Sequence, residues 1–145
     1  MREILYRAKV KDKNELIGKG FPIDENGNLK SEWVFGVPIP RYPEIFLAWN
    51  EACNEYEEVT IISETVGQYT GLTDKNSTKI FEGDIVKTKY GRLCQVFWFS
   101  SPCSQGWDLM PIGDKHKCPD EYDLWIPKNL EVIGNVHDNP ELLQN

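Results

Sequence analysis

Four residues of metal-ligating type fall within one stretch of the chain: Cys94, Cys103, His116 and Cys118. Thiolates and imidazoles are the donors a structural zinc ion takes, four at a time in a tetrahedron. Such sites usually draw their ligands in close pairs of the CxxC kind, and here only His116 and Cys118 are near neighbours. Cys94 lies inside an apolar run, where a free cysteine behaves as a small hydrophobe. The expectation is no bound metal and no cofactor, with a metal-dependent module built on Cys103, His116 and Cys118 as an alternative.

Other chemistries lack their residues. No GxSxG turn is present to expose a serine nucleophile, and neither GxGxxG nor GxxxxGK[ST] supplies the glycine cradle that phosphates need. His137 and Asp138 are adjacent, and an extended strand would point them to opposite sides. The carboxylates Glu51, Glu55, Glu57 and Glu58 read as a solvated acidic face and not as an acid/base pair. No catalytic set emerges, and the chain is expected not to be an enzyme.

Two groups could bind without catalysing. Phe97, Trp98 and Phe99 are consecutive, so a strand would place the tryptophan on one face and both phenylalanines on the other. One face can then be core while the other meets a partner, as aromatic-rich interfaces do. Lys75, Lys79, Lys87, Lys89 and Arg92, with Tyr90 among them, are a candidate phosphate-contacting set, but Asp74, Glu82 and Asp84 reduce the excess over residues 66–100 to +2. So small a surplus disfavours nucleic acid.

The elements that must position these groups are mostly strands. With 145 residues, 40% of them hydrophobic and 27% charged, the chain can bury a core, and neither disorder nor a membrane protein fits. The formal charge of −7 is concentrated in residues 51–65, with five acids and no base, and in residues 101–145, with eight acids against three bases. That is modest for a protein imitating DNA. MREILYRAKVKDKNELIGKG holds no apolar run fit for a signal or a span, so a cytoplasmic protein with free thiols is expected.

Ile4, Tyr6, Ala8 and Val10 alternate with polar or outward neighbours and predict a first strand. Asn26-Gly27 marks a hairpin-type turn before a returning strand at Trp33-Val34-Phe35. The prolines of VPIPRYP predict an extended edge or connector and not a central strand. Residues 44–53 fit either a helical stripe or a strand, with strand preferred for 44–49 on the alternation of Ile45, Leu47 and Trp49. From Val59 onward, VTIIS, VGQYTGL, KIFEGDIVKT, RLCQVFWFS, GWDLMPI and LEVIGNV are short β-rich runs, which predict a small antiparallel barrel or sandwich. Asn139 or Asp138 can cap a final helical turn begun by Pro140.

MREILYRAK, EWVFG at 32–36, ETVGQYTGLTDKNSTKIFEGDIV at 64–86 and EVIGNVHDNPELL at 131–143 resemble the YopX family of phage and prophage proteins. The central block is the most specific, because its motifs match in order and spacing; residues 37–63 and 93–128 match nothing that can be placed. The resemblance implies a mainly β chain: an N-terminal β portion over 1–63 with the Pro-rich connector, then an SH3-type small β-barrel over 64–145 with a short C-terminal helical turn. It implies self-association and no known catalytic activity. Ser77 departs from the pattern, which usually has glycine after Asp-Lys-Asn, so the turn is expected to be looser or to place Asn76 in the left-handed region.

On the residues themselves, Gly71 and Gly83 permit tight paths at strand ends, and Asp74 and Asp84 can bond amides two residues on. The resulting expectation is an accessory protein, encoded by phage or prophage, that acts through protein contacts. Its partners would be a second copy of itself and a host or phage protein.

Overall fold

The computed structural model describes residues 5–113 and 126–143. The chain divides into two compact units between Gln68 and Tyr69.

In the N-terminal unit the elements are β1 (Tyr6–Val10), α1 (Lys13–Gly18), β2 (Trp33–Pro38), β3 (Ile45–Asn50) and the first part of the long β4 (Glu55–Thr73). Neighbours in the series β1, β2, β3, β4 pair antiparallel, and β4 also pairs with β1. The β1–β4 register shifts between Arg7 and Lys9. There the Thr65 hydroxyl accepts the Lys9 amide at 2.8 Å and donates to the Ile62 carbonyl at 2.6 Å. A buried threonine thus takes up a donor that a regular ladder would have satisfied. Ala8, Val10, Leu16, Val34, Phe46, Val59 and Ile61 form the core.

The first strand follows the expected alternation, with Ala8 and Val10 buried and Tyr6 packed against the same core. Helix α1 was not expected. Asp12 caps it by accepting the Asn14 amide at 2.9 Å, and Leu16 is its buried residue. Its Glu15 carboxylate accepts the Thr60 amide at 2.7 Å, which ties the helix to β4.

Residues 45–50 are a strand, but the face is the reverse of the one the large side chains pointed to. Phe46, Ala48 and Asn50 are buried, while Trp49 is exposed and packs edge-on against Tyr56 of β4 at 5.0 Å. Asn50 tolerates burial because its amide donates to the Lys19 carbonyl at 3.2 Å and its oxygen accepts the Ala52 amide at 3.0 Å. Val37 and Pro38 are the end of β2 and pair with Leu47 and Phe46, so the Pro-rich connector begins only at Ile39.

In the C-terminal unit the end of β4 pairs with β5 (Lys79–Phe81). A four-stranded antiparallel sheet has the order β8 (Gln105–Pro111), β7 (Leu93–Ser100), β6 (Asp84–Lys87), β9 (Glu131–Asn135). A 3-10 turn at Pro127–Asn129 precedes β9, and another at Pro140–Leu143 follows it. Ile80, Val86, Cys94, Val96, Leu109 and Leu130 form the core of this unit. VTIIS and VGQYTGL therefore do not make separate strands, because β4 runs through both. KIFEGDIVKT instead makes two strands, broken where Gly83 takes a φ of 88°. The architecture is mainly β. No helix among the described residues is long and apolar enough to cross a membrane.

Candidate functional site

Asp74 organises the C-terminal unit. It is buried, and its Oδ1 accepts the amides of Asn76 at 2.8 Å and Thr78 at 2.9 Å, which closes the turn between β4 and β5. Its Oδ2 accepts the Val132 amide at 2.8 Å, and beside it the Lys75 amide donates to the Leu130 carbonyl at 3.0 Å. These two bonds fasten the turn to the chain that runs from the 3-10 turn into β9. Burial works against the charged carboxylate, but the Val132, Thr78 and Asn76 amides and the Lys75 charge outweigh it. The Asp74 carboxyl is held below its ordinary value as a result.

The left-handed residue of this turn is Ser77, with a φ of 65°, and not Asn76. Thr78 and Asn76 must both aim their amides at Asp74 Oδ1, so the positive φ falls on the residue between them. Asp84 Oδ2 accepts the Phe81 amide, three residues back, at 2.8 Å. Gly71 and Gly83 have φ of 87° and 88°, the tight paths expected of them.

Fastening the turn places its lysine beside residues remote in sequence. Lys75, Lys87, Lys89 and Lys128 line one groove of about 580 Å³ together with Glu131, the one acidic lining residue among the described residues. Lys75 and Lys128 also line an adjoining depression with Gly71, Asp74 and Ser77. The turn that carries Lys89 is braced by Thr88, whose hydroxyl accepts the Tyr90 amide at 3.3 Å and the Arg92 amide at 3.2 Å. Tyr90 in that turn is 55% exposed. Of the basic residues singled out in the sequence, Lys79 stands over the Tyr69 ring, and neither it nor Arg92 lines the groove. Lys128 was missed, since it lies in a segment with no strand pattern of its own.

The aromatic run falls in β7 as expected. Trp98 pairs with Trp107 of β8 and packs edge-on against it at 4.9 Å, while Phe97 and Phe99 lie on the other face, opposite Asp108 and Gly106. Trp98 is 42% exposed and Phe99 41%, whereas Phe97 is half-buried. Both edges of β7 are used within the chain, by β6 at residues 93–95 and by β8 along its length. The β8 partner is internal along the whole strand, whereas the β6 register ends at Gln95, before the aromatic residues.

The zinc reading loses Cys94. That cysteine is buried in β7, and Cys103 is exposed beyond the far end of the strand. At about 3.3 Å per residue, the strand alone puts some ~20 Å between them. His116 and Cys118 lie outside the described residues. Cys53, Glu55 and Glu57 bring potential ligand atoms within 4.8 Å of one another, a grouping that exposed acids often make without an ion. His137 and Asp138 lie in a turn after β9 and not in a strand, and both donate their amides to Asn135 Oδ1, at 3.0 and 2.9 Å. In the N-terminal unit a pocket of about 220 Å³ is lined by Phe21, Trp33, Phe35 and Trp49. It is smaller than the roughly 300–1,000 Å³ usual for ligand sites.

A small β scaffold with turns fixed by buried carboxylates, an exposed aromatic hairpin and a lysine groove defines the class of protein. The YopX family model, described as YopX protein, matches residues 5–144, and the chain belongs to that family. Among solved structures, the crystal structure of protein EF1440 from Enterococcus faecalis is similar at 22% sequence identity. That match covers 99% of this chain and 100% of that one, with a TM-score of 0.39. No curated protein matches the chain.

Proposed function

We propose that this YopX-family chain is an accessory protein of a phage or prophage, working in the host cytoplasm through protein contacts and without catalysis. The observation that carries the reading is the exposed apolar surface of the β7–β8 hairpin. Phe99 and Met110 stay 41% and 46% exposed on the face they share with Phe97, and Trp98 stays 42% exposed on the opposite face. Apolar side chains left in water on a hairpin favour burial against another molecule. The first partner is a second copy of the chain in a closed, symmetric association, which buries the same patch on both subunits.

The C-terminal unit is read here as an SH3-type barrel. In support, β6 is flanked by the next strand, β7, and by the last, β9, and a 3-10 turn immediately precedes β9.

Affinity capture from infected and uninfected cells, with Phe99→Asp as the reference bait, tests the wider role. Proteins retained by the native hairpin and lost with the variant are expected. Identical captures by the two baits would contradict the reading.

A further inference from the structure

We infer that the groove lined by Lys75, Lys87, Lys89 and Lys128 binds the phosphate backbone of single-stranded nucleic acid. The inference goes beyond the protein contacts proposed above and uses a different surface. Three segments supply the lysines: the β4–β5 turn, the end of β6 with the turn after it, and the 3-10 turn before β9. All four are exposed, and among the described residues Glu131 is the one acid that lines the groove with them. Asp74, in the adjoining depression, keeps its negative charge, but three amides engage its carboxylate oxygens and the four lysines outnumber it and Glu131.

The net charge of the whole chain is −7, which by itself would repel a polyanion. Screening decides the balance. At about 0.1 M salt the Debye length is about 10 Å, so an exposed phosphate responds chiefly to the charges lining the groove.

The arrangement is also preorganised. The bonds from Val132 to Asp74 and from Lys75 to the Leu130 carbonyl hold Lys75 near Lys128, and Thr88 fixes the loop that presents Lys89. Tyr90, between the lining residues Lys89 and Gly91, is exposed and has the Lys89 ammonium over its ring at 5.1 Å, so an unpaired base would stack on the face away from that lysine. Duplex bases are already stacked on one another, which is why the single strand is favoured.

The probe is a fluorescently labelled oligothymidylate of about 15 nucleotides, near the upper site size of one small barrel. Anisotropy is read with the full chain in about 50 mM and about 200 mM salt. Four phosphate contacts predict a slope of about −2.8 in log affinity against log salt, so binding should weaken roughly 50-fold between the two conditions. Lys87→Glu with Lys128→Glu should weaken low-salt binding by more than tenfold, and so should Lys75→Glu with Lys89→Glu, a pair carried on the two turns. Lys13→Glu, in α1, should leave binding unchanged. Absence of binding at about 50 mM salt, where phosphate contacts are strongest, would overturn the inference. So would binding that survives both double variants, or a duplex of the same length bound as tightly as the single strand.

Discussion

The carboxylate of Asp74 accepts the amide of Val132 at 2.8 Å, and this one bond joins residues 58 positions apart. It connects the family's most specific block to the last strand, so the turn it closes is a tertiary tie as well as a local one. Replacing Asp74 with asparagine keeps one acceptor oxygen and turns the other into a donor facing an amide. The expected loss is about 2–3 kcal/mol of unfolding free energy in urea titration.

Acid should act through the same group. The folded Asp74 carboxyl lies below its ordinary value of 3.8, so its contribution is fully present above that value and fades as pH falls through it toward the folded one. Urea midpoints measured on both sides of 3.8 should fall on acidification in the native chain and fall less in Asp74→Asn. Equal falls in the two proteins would remove Asp74 as a source of acid sensitivity.

Ser77 bears a backbone conformation that glycine adopts at no steric cost, with a φ of 65°. Ser77→Gly should raise stability by about 1 kcal/mol, the relief of a left-handed non-glycine residue less the extra freedom of the unfolded chain. Asn76→Gly should be neutral or destabilising by up to about 1 kcal/mol, because Asn76 is not left-handed. Thermal or urea melts of the two variants side by side make the comparison.

Gly36 of β2 lies against the backbone of β3. A Cβ at that position would lie 1.9 Å from the carbonyl oxygen of Leu47, a backbone atom that cannot swing aside. Gly36→Ala is expected to cost about 3 kcal/mol or more, since the two strands must separate to admit it. Gly106→Ala has open space around it and should stay within about 1 kcal/mol of the native chain in the same urea titration.

Thiol reactivity should sort the cysteines by burial. Cys53 and Cys103 are exposed and Cys94 is buried in β7. Alkylation of the native protein followed by peptide mapping should label Cys53 and Cys103 promptly and leave Cys94 unlabelled until denaturant is added. Prompt labelling of Cys94 would mean that the β7 core opens far more readily than its packing implies.

Strands whose β-branched and aromatic residues alternate, such as β1 and β7, were legible because burial follows a period of two. The buried face of β3 was not, since side-chain size pointed to Trp49 while a hydrogen bond to the Lys19 carbonyl and one from the Ala52 amide let Asn50 be the inward residue. Helix α1 escaped although Asp12, with Glu15 three residues later, is a start signal; Glu15 then bonds Thr60 and not the helix start. Turn roles at Gly71, Gly83 and Asp74 were readable from local chemistry. The tie from Asp74 to Val132, and the grouping of Lys128 with three lysines 39 or more residues before it, depend on tertiary pairing that no local pattern encodes.

Self-association through the exposed hairpin is the centre of the account, and light scattering after size exclusion tests it most directly. The native chain should give a mass that is a multiple of 16.8 kDa, and Phe99→Asp, with its circular dichroism unchanged, should return to 16.8 kDa. A native mass of 16.8 kDa across a wide concentration range, or an oligomer indifferent to Phe99→Asp, would contradict it.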